Sequence, residues 1–399
     1  MKTLEFHIIQ TYNASNPNRD ANGDPKTVTV GGVRRARISS QSLKRAMRDM
    51  FAQEQNVSLY RVGKRTKMRN EIEKNLVGMK DETGDVIDEK RAKKVADLAW
   101  NIYTDKKEKK EKPNATKKVE KVDDATSEDE GEGNDDNSMI FVDERAVRDV
   151  IAWVAKNTVR LAKAKEDKTI KDEFLDILLG YEAIDIALFG RMTASQNRGH
   201  VDGACLVAHA FSTNRLVAEF DFFTAVDDMS VGRDDKVGML DSKGYNASTF
   251  YRNLVLDVTQ LEANLGGDLG KTEAAIRAFV RATVESYPKA LNRSSGAPPQ
   301  PAAVVALIRN NARTTNLGDA FLRPVQSDGT HDIAEVSVQH MATCYKSTVK
   351  AYSRYRADEA FIVAKNENLG FPDATHIESE DLIEKIVTAY RASHKAAAA

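Results

Sequence analysis

The chain has 399 residues, of which 41% are hydrophobic and 30% charged, and its net charge is −1. That length admits two or three folded units, or one domain with large insertions. No apolar run approaches the roughly 18 residues of a membrane span, the opening Met1–Gln10 alternates polar and apolar residues rather than forming a secretory signal, and Cys205 and Cys344 are the sole cysteines. A cytoplasmic, reducing setting is expected, with no membrane partner and no cysteine-rich zinc site.

In chain order, Leu4, Phe6 and Ile8 alternate with Glu5, His7 and Ile9, which predicts an opening strand with one buried face. Residues 13–32 collect Asn, Pro, Asp and Gly, including Asn16-Pro17, Asn22-Gly23 and Gly31-Gly32, and read as a long ordered loop or a hairpin. Ser39-Ser40-Gln41 offers N-cap hydroxyls, so a helix is predicted from about Gln41 to Gln53. On it Leu43, Met47, Met50 and Phe51 share one face, while Gln41, Lys44, Arg45 and Arg48 share the other. From about 57 to 188 the pattern is mostly helical and reads as an insertion. Within it, 105–137 carries eight lysines up to Lys121 and eight acids from Asp123 onward, and a disordered or mobile loop is expected. Strand character returns at 201–227. The Gly- and Asp-rich stretch Asp227–Tyr251, with Met229, Met239, Leu240 and Tyr245, predicts a protruding hairpin or flap. A second amphipathic helix starts near Thr272 and carries Ile276, Phe279 and Val280. A proline cluster then precedes a last strand near 302–309, and the C-terminal third is mixed and helical toward its end. This order describes an α+β sandwich with elaborations.

The near-zero net charge hides a local imbalance. Residues 15–48 hold Arg19, Lys26, Arg34, Arg35, Arg37, Lys44, Arg45 and Arg48 against Asp20 and Asp24. Arginine forks and lysine point charges neutralise phosphate oxygens, and the helix start at Ser39-Ser40 is expected to add unpaired backbone N–H groups. The competing reading is a solvated basic face. Phe222-Phe223 and Met239-Leu240 are either apolar wedges between bases or core residues. Gly190-Arg191-Met192 reads as a helix C-cap followed by a gap-filling methionine. Gly266–Thr272 resembles a phosphate-binding loop, but three residues separate Gly266 from Gly270 where a nucleotide cradle needs four. Asp227-Asp228, Asp234-Asp235 and the set His200, Asp202 and His209 are candidates for metal-assisted RNA cleavage. Adjacent strand residues point to opposite faces, however, and the seven histidines show no zinc spacing.

Asn18-Arg19-Asp20, Gly31-Gly32 and the run Arg34–Arg48 resemble the backbone subunit of the type I-E CRISPR Cascade complex, the CasC/Cse family of the RAMP superfamily. The likeness continues in family order through Asp185–Met192, Val201–Ala204, His209-Ala210, Phe223–Asp228, Phe250–Arg252 and Asn264–Gly267. The resemblance implies an RRM-like, ferredoxin-type palm with an inserted helical fingers domain and a thumb β-hairpin. Palm segments fall at 1–56 and 181–221, fingers at 57–180, the thumb at 222–250, and palm completion with a C-terminal helical region at 251–399. It implies a non-catalytic subunit that stacks head to tail along the CRISPR RNA (crRNA), kinks it periodically and presents bases to target DNA. Arg19, Lys26, Gln41, Lys44, Arg45 and Arg48 match positions that hold the RNA backbone. Met192 matches a residue beside bases, and Phe223 and Leu240 match thumb positions that wedge at the kink. Val33 stands where a family lysine can occur, and Phe222 where a tryptophan can. Implied partners are crRNA, target DNA through guide pairing, further copies of the chain, and the large, small and guide-end-capping Cascade subunits, in a prokaryotic cytoplasm. No cofactor, metal or catalytic residue is implied. A related type III subunit family cuts target RNA with a loop aspartate, which makes a metal-dependent ribonuclease the alternative.

Overall fold

The computed structural model describes residues 1–53, 64–104, 139–163, 168–181, 183–193, 199–226, 237–288, 290, 296, 300–310 and 313–398. The charged stretch 105–137 and the acid pairs at 227–228 and 234–235 lie outside the described residues. The chain divides into two compact units, one formed by Met1–Leu59 with Gly203–Ala399 and the other by Tyr60–Asp202.

The first unit opens with β1 (Thr3–Ser15), a hairpin of β2 (Thr27–Val30) and β3 (Val33–Ile38), and α1 (Ser40–Phe51). The second unit carries β4 (Lys64–Thr66), α2 (Met68–Leu76), α3 (Glu89–Thr104), β5 (Ile140–Val142), α4 (Glu144–Ala155), α5 (Thr158–Ala162), α6 (Lys168–Leu179) and α7 (Ile184–Phe189). Apolar residues at every third or fourth position of α3, among them Val95, Ala99 and Trp100, give it one inward stripe. That stripe joins Ile72, Val150 and Phe174 in the unit's core.

The first unit then resumes with β6 (Cys205–Val207), β7 (Ala210–Ser212), β8 (Glu219–Val226), β9 (Val237–Asp257), α8 (Val258–Asn264), α9 (Leu269–Glu285), β10 (Ala303–Arg309), α10 (Ile333–Ala351), β11 (Glu359–Ala364), β12 (Ala374–His376) and α11 (Ser379–Ala398). Its sheet runs β12-β11-β10-β1-β9-β7-β3-β2, with β6 and β8 also paired to β9. The β11–β12 pair is parallel and the other pairs are antiparallel, so the unit is α+β with a mixed sheet. The strand expected last, β10, is followed by two more that extend the sheet.

The opening strand departs from its expected one-sided pattern, because β1 lies at the sheet centre and both of its faces are covered. Phe6 meets Phe279 of α9 edge-on at 6.0 Å. On the other face Ile9 packs with Tyr251, Val305, Val338 and Met341 beneath α10. Glu5 and His7 share that second face and are fully buried. Glu5 accepts hydrogen bonds from His7 Nε2 at 2.6 Å, Arg309 Nε at 3.1 Å and the Thr315 N–H at 3.0 Å. Burial opposes ionisation of Glu5, yet the His7 hydrogen bond and the neighbouring positive charge hold its carboxyl below the ordinary value.

Candidate nucleic-acid interface

The basic segment is built on a tight hairpin. Gly31 and Gly32 join β2 to β3 with φ of 57° and 77°, the left-handed pair a two-residue turn needs. A Cβ at Gly31 would fall 1.8 Å from the Leu322 carbonyl oxygen, so this turn also demands close backbone approach.

The hairpin separates the three arginines that follow its turn in sequence. Arg35 points inward and is fully buried, donating to the carbonyls of Ser212 (2.9 Å), Thr213 (2.5 Å) and Phe321 (2.9 Å). It is a structural clamp between β3, β7 and the Leu317–Phe321 turn, and it leaves the phosphate-binding set proposed from sequence. Arg34 points outward, with Nε on Thr27 Oγ1 at 3.3 Å. Arg37 is half-buried, and its Nε finds no partner among the described residues.

Helix α1 begins one residue earlier than predicted. Ser39 caps it, its hydroxyl accepting the Ser42 N–H. The Ser39 N–H donates to Asn18 Oδ1 at 2.8 Å and the Ser40 N–H to His209 Nδ1 at 3.1 Å. Of the amides expected to be unpaired at this helix start, those of Ser40 and Ser42 are therefore satisfied internally. Leu43, Ala46, Met47 and Phe51 are buried, whereas Met50 is half-buried and lies off the packed stripe.

The opposite face of α1 carries the four expected residues. Gln41 and Arg45 are exposed, and Lys44 and Arg48 are half-buried. Arg45 is 73% exposed and spaced one turn from Asp49, which it meets at 3.1 Å. Lys44 lines a concavity of about 400 Å³ with Leu206, Asn253, Val255 and Thr314–Asn316, and Arg45 lines another of about 220 Å³ with Pro17, Asp49 and Pro288. The cationic edge of the helix thus opens on two grooves. Burial pulls the Lys44 ammonium below its ordinary value, opposed by Cys205 and reinforced by Arg48. The groove residues contributed by β9 and by 314–316 escaped sequence reasoning, since no local pattern ties them to α1.

The loop before the hairpin docks beside this helix. The Lys26 N–H donates to the Asn18 carbonyl at 2.9 Å, and Arg19 bridges to Pro25. Asp20 Oδ1 accepts the N–H groups of Asn22 (2.9 Å) and Asp24 (3.0 Å), which fixes the exposed turn bearing Arg19. Asn16 Nδ2 donates to the carbonyls of Gly23 and Gly244, both at 3.0 Å, tying the loop to the base of the β8–β9 hairpin.

That hairpin pairs Glu219 with Tyr245 and continues through Phe222↔Ser242, Phe223↔Asp241 and Thr224↔Leu240, which places Leu240 by its backbone. Phe222 is 62% and Phe223 38% exposed, so neither is a core residue. In the other unit Met192 is 74% exposed and fills no gap, while its neighbour Arg191 is buried and donates to the Gly199 carbonyl at 2.7 Å. Gly190, with φ of 82°, ends α7 as expected.

Among the described residues, the remaining sequence candidates form local contacts. Asp268 caps α9 by accepting the Lys271 N–H at 3.0 Å, so the glycine-rich run around it is a capped helix start. His200 pairs with Asp202 at 3.1 Å on the surface, and His209 accepts from Ser40. Among the described residues no group of three His, Cys, Asp or Glu side chains is placed to hold a metal ion. No described helix is long and apolar enough to cross a membrane.

The sequence profile of the CT1975-like protein family matches residues 4–389. The chain belongs to this family. A chain of a CRISPR RNA-guided surveillance complex in a pre-nicking state is similar to it, with 27% identity and a TM-score of 0.77 over 97% of this chain and 99% of that one. A chain of a second CRISPR RNA-guided surveillance complex shares the fold, with 24% identity and a TM-score of 0.68 over the same shares. No curated protein matches significantly. The family and the structural similarity agree with the CRISPR backbone likeness carried by Arg34–Arg48 and the blocks after it.

Proposed function

We propose that this chain is a non-catalytic backbone subunit of a type I-E Cascade complex, binding crRNA and stacking head to tail along it. The observation that carries this reading is the edge of α1 formed by Gln41, Lys44, Arg45 and Arg48, rigidly capped and flanked by the docked Arg19 loop. Four cations on a fixed frame, counting Arg19 with Lys44, Arg45 and Arg48, suit a sugar-phosphate track, and Lys26 extends it. Affinity then comes from phosphate neutralisation, and sequence selection is left to base pairing between guide and target DNA.

In this reading the first unit is the RRM-like, ferredoxin-type palm, the unit Tyr60–Asp202 contains the fingers, and the β8–β9 hairpin is the thumb. Phe223 and Leu240 of one copy wedge at a kink in the guide, and Met192 packs beside bases. The exposed aromatic rings of the hairpin support this, because exposed apolar area gains burial when it meets unstacked bases. The role of Asp20 supports a non-catalytic assignment over a loop-aspartate ribonuclease, since its carboxylate already accepts two backbone amides. The similar chain of known structure belongs to an RNA-guided surveillance complex, which supports further copies and large, small and guide-end-capping subunits as partners.

Co-expression with the neighbouring gene products, followed by purification and sequencing of bound RNA, tests the proposal. Short RNAs carrying CRISPR repeat sequence should copurify with several copies of the chain. A monomer carrying random RNA, or none, would contradict it.

A further inference from the structure

Far along the chain from the α1 edge, Lys350-Ala-Tyr-Ser-Arg-Tyr-Arg356 ends α10 and enters a 3-10 turn over Ser353–Tyr355. It holds three basic side chains and two tyrosines in seven residues, without an acid. The turn is anchored from below at several points. Fully buried Arg309 donates Nη1 to the Tyr355 carbonyl at 2.5 Å, and the Arg313 N–H donates to the Arg354 carbonyl at 3.0 Å. The Ala357 N–H reaches Tyr345 Oη at 3.0 Å and the Asp358 N–H reaches the Ile308 carbonyl at 3.0 Å.

On this fixed backbone Tyr352 stays 64% exposed, edge-on to Tyr355 at 6.1 Å. Arg313, Lys350 and Arg354 are exposed, and none has an ion-pair partner among the described residues. The nearby acids are partly occupied: Asp373 pairs with Arg356 at 3.3 Å, and Asp358 accepts the Asn310 N–H at 2.6 Å. An exposed ring on a fixed backbone beside guanidinium groups that lack an ion-pair partner combines the two contacts that hold a single nucleic-acid strand without reading its sequence. These are base stacking on tyrosine and phosphate neutralisation by arginine.

We infer that this turn is a binding site for single-stranded DNA, namely the strand left unpaired when a duplex target pairs with the guide. The inference rests on the guide-binding function proposed above, because guide pairing is what frees that strand. Phosphate chemistry favours nucleic acid over an apolar protein partner, and the α1 edge already accounts for the guide.

The test uses the assembled, guide-loaded complex and a fluorescein-labelled oligo(dT) strand of roughly thirty nucleotides, long enough to span several single-strand sites. Anisotropy should show Tyr352→Ala/Arg354→Glu weakening strand binding about tenfold or more, with a shallower salt dependence. Tyr352→Phe should bind normally, and guide copurification should stay unchanged in both variants. Equal strand affinity in the doubly substituted and unaltered complexes overturns the inference. So does normal strand affinity combined with loss of a protein subunit, which would assign the turn to a protein contact. Failure of the guide-binding function reads out differently, as absence of copurifying RNA from the unaltered complex, and the inference falls with it.

Discussion

Arg35→Met separates structural from RNA-binding basic residues within one short run. Methionine keeps much of the side-chain volume and removes the guanidinium that joins β3 to the carbonyls of Ser212, Thr213 and Phe321. The Thr213 carbonyl keeps the Val325 N–H as a donor, whereas each buried acceptor left without one costs about 1–3 kcal/mol. Part of that loss is offset, because the guanidinium is fully buried and its desolvation disfavours the charged form. A net loss of about 3 kcal/mol results, which corresponds to a fall of roughly 6–12 °C in Tm for a domain of this size. The assay is thermal unfolding of the RNA-free protein followed by circular dichroism. Arg34→Met, at an exposed neighbour, should stay within about 0.5 kcal/mol of the parent. If Arg35→Met melts with the parent while RNA affinity drops as it does for Arg45→Ala, Arg35 belongs to the binding face and the reasoning is refuted.

Gly31→Ala should destabilise more than Gly32→Ala in the same melt. The first puts a Cβ 1.8 Å from the Leu322 carbonyl oxygen, whereas the second meets open space and costs about 1–2 kcal/mol of left-handed strain; equal losses would contradict the close approach. RNA affinity should fall with rising pH, and at lower pH than in Lys44→Arg. Burial lowers the pKa of the free Lys44 ammonium, a bound phosphate restores the proton, and binding therefore takes up protons on the alkaline side, below the ordinary lysine value. Identical filter-binding profiles for the two proteins would refute that assignment. Asp20→Ala should weaken guide binding several-fold by releasing the amides of Asn22 and Asp24, without changing the fate of labelled target RNA; loss of a metal-dependent cleavage activity in this variant would restore the ribonuclease alternative.

Helix α1 was legible because its signals are local: a serine cap, then apolar and cationic residues at the helical period. The pairing of its first amides was not, since the acceptors Asn18 and His209 lie 21 and 169 residues away in sequence. Distance also hid the nature of β1. Glu5 and His7 imitate a solvent face by alternation, and they are buried because Arg309 and Thr315, 304 and 310 residues away, complete the hydrogen bonds of Glu5, and Tyr251, 244 residues away, meets His7. Strand parity separates Arg35 from exposed Arg34 but puts it on the same face as half-buried Arg37, so the full burial of Arg35 needed the carbonyls of Ser212, Thr213 and Phe321, far away in sequence. The clue for the Tyr352 turn was likewise present as alternating basic and aromatic residues, but its exposure and anchoring required the fold.

The central claim is that the cationic edge of α1 grips the guide. An electron cryomicroscopy map of the guide-loaded assembly tests it most directly. Guide phosphates should lie within about 4 Å of Lys44, Arg45 and Arg48, at ion-pair distance, in each copy along the strand. A guide running elsewhere, with these three side chains facing bulk solvent, would contradict the account.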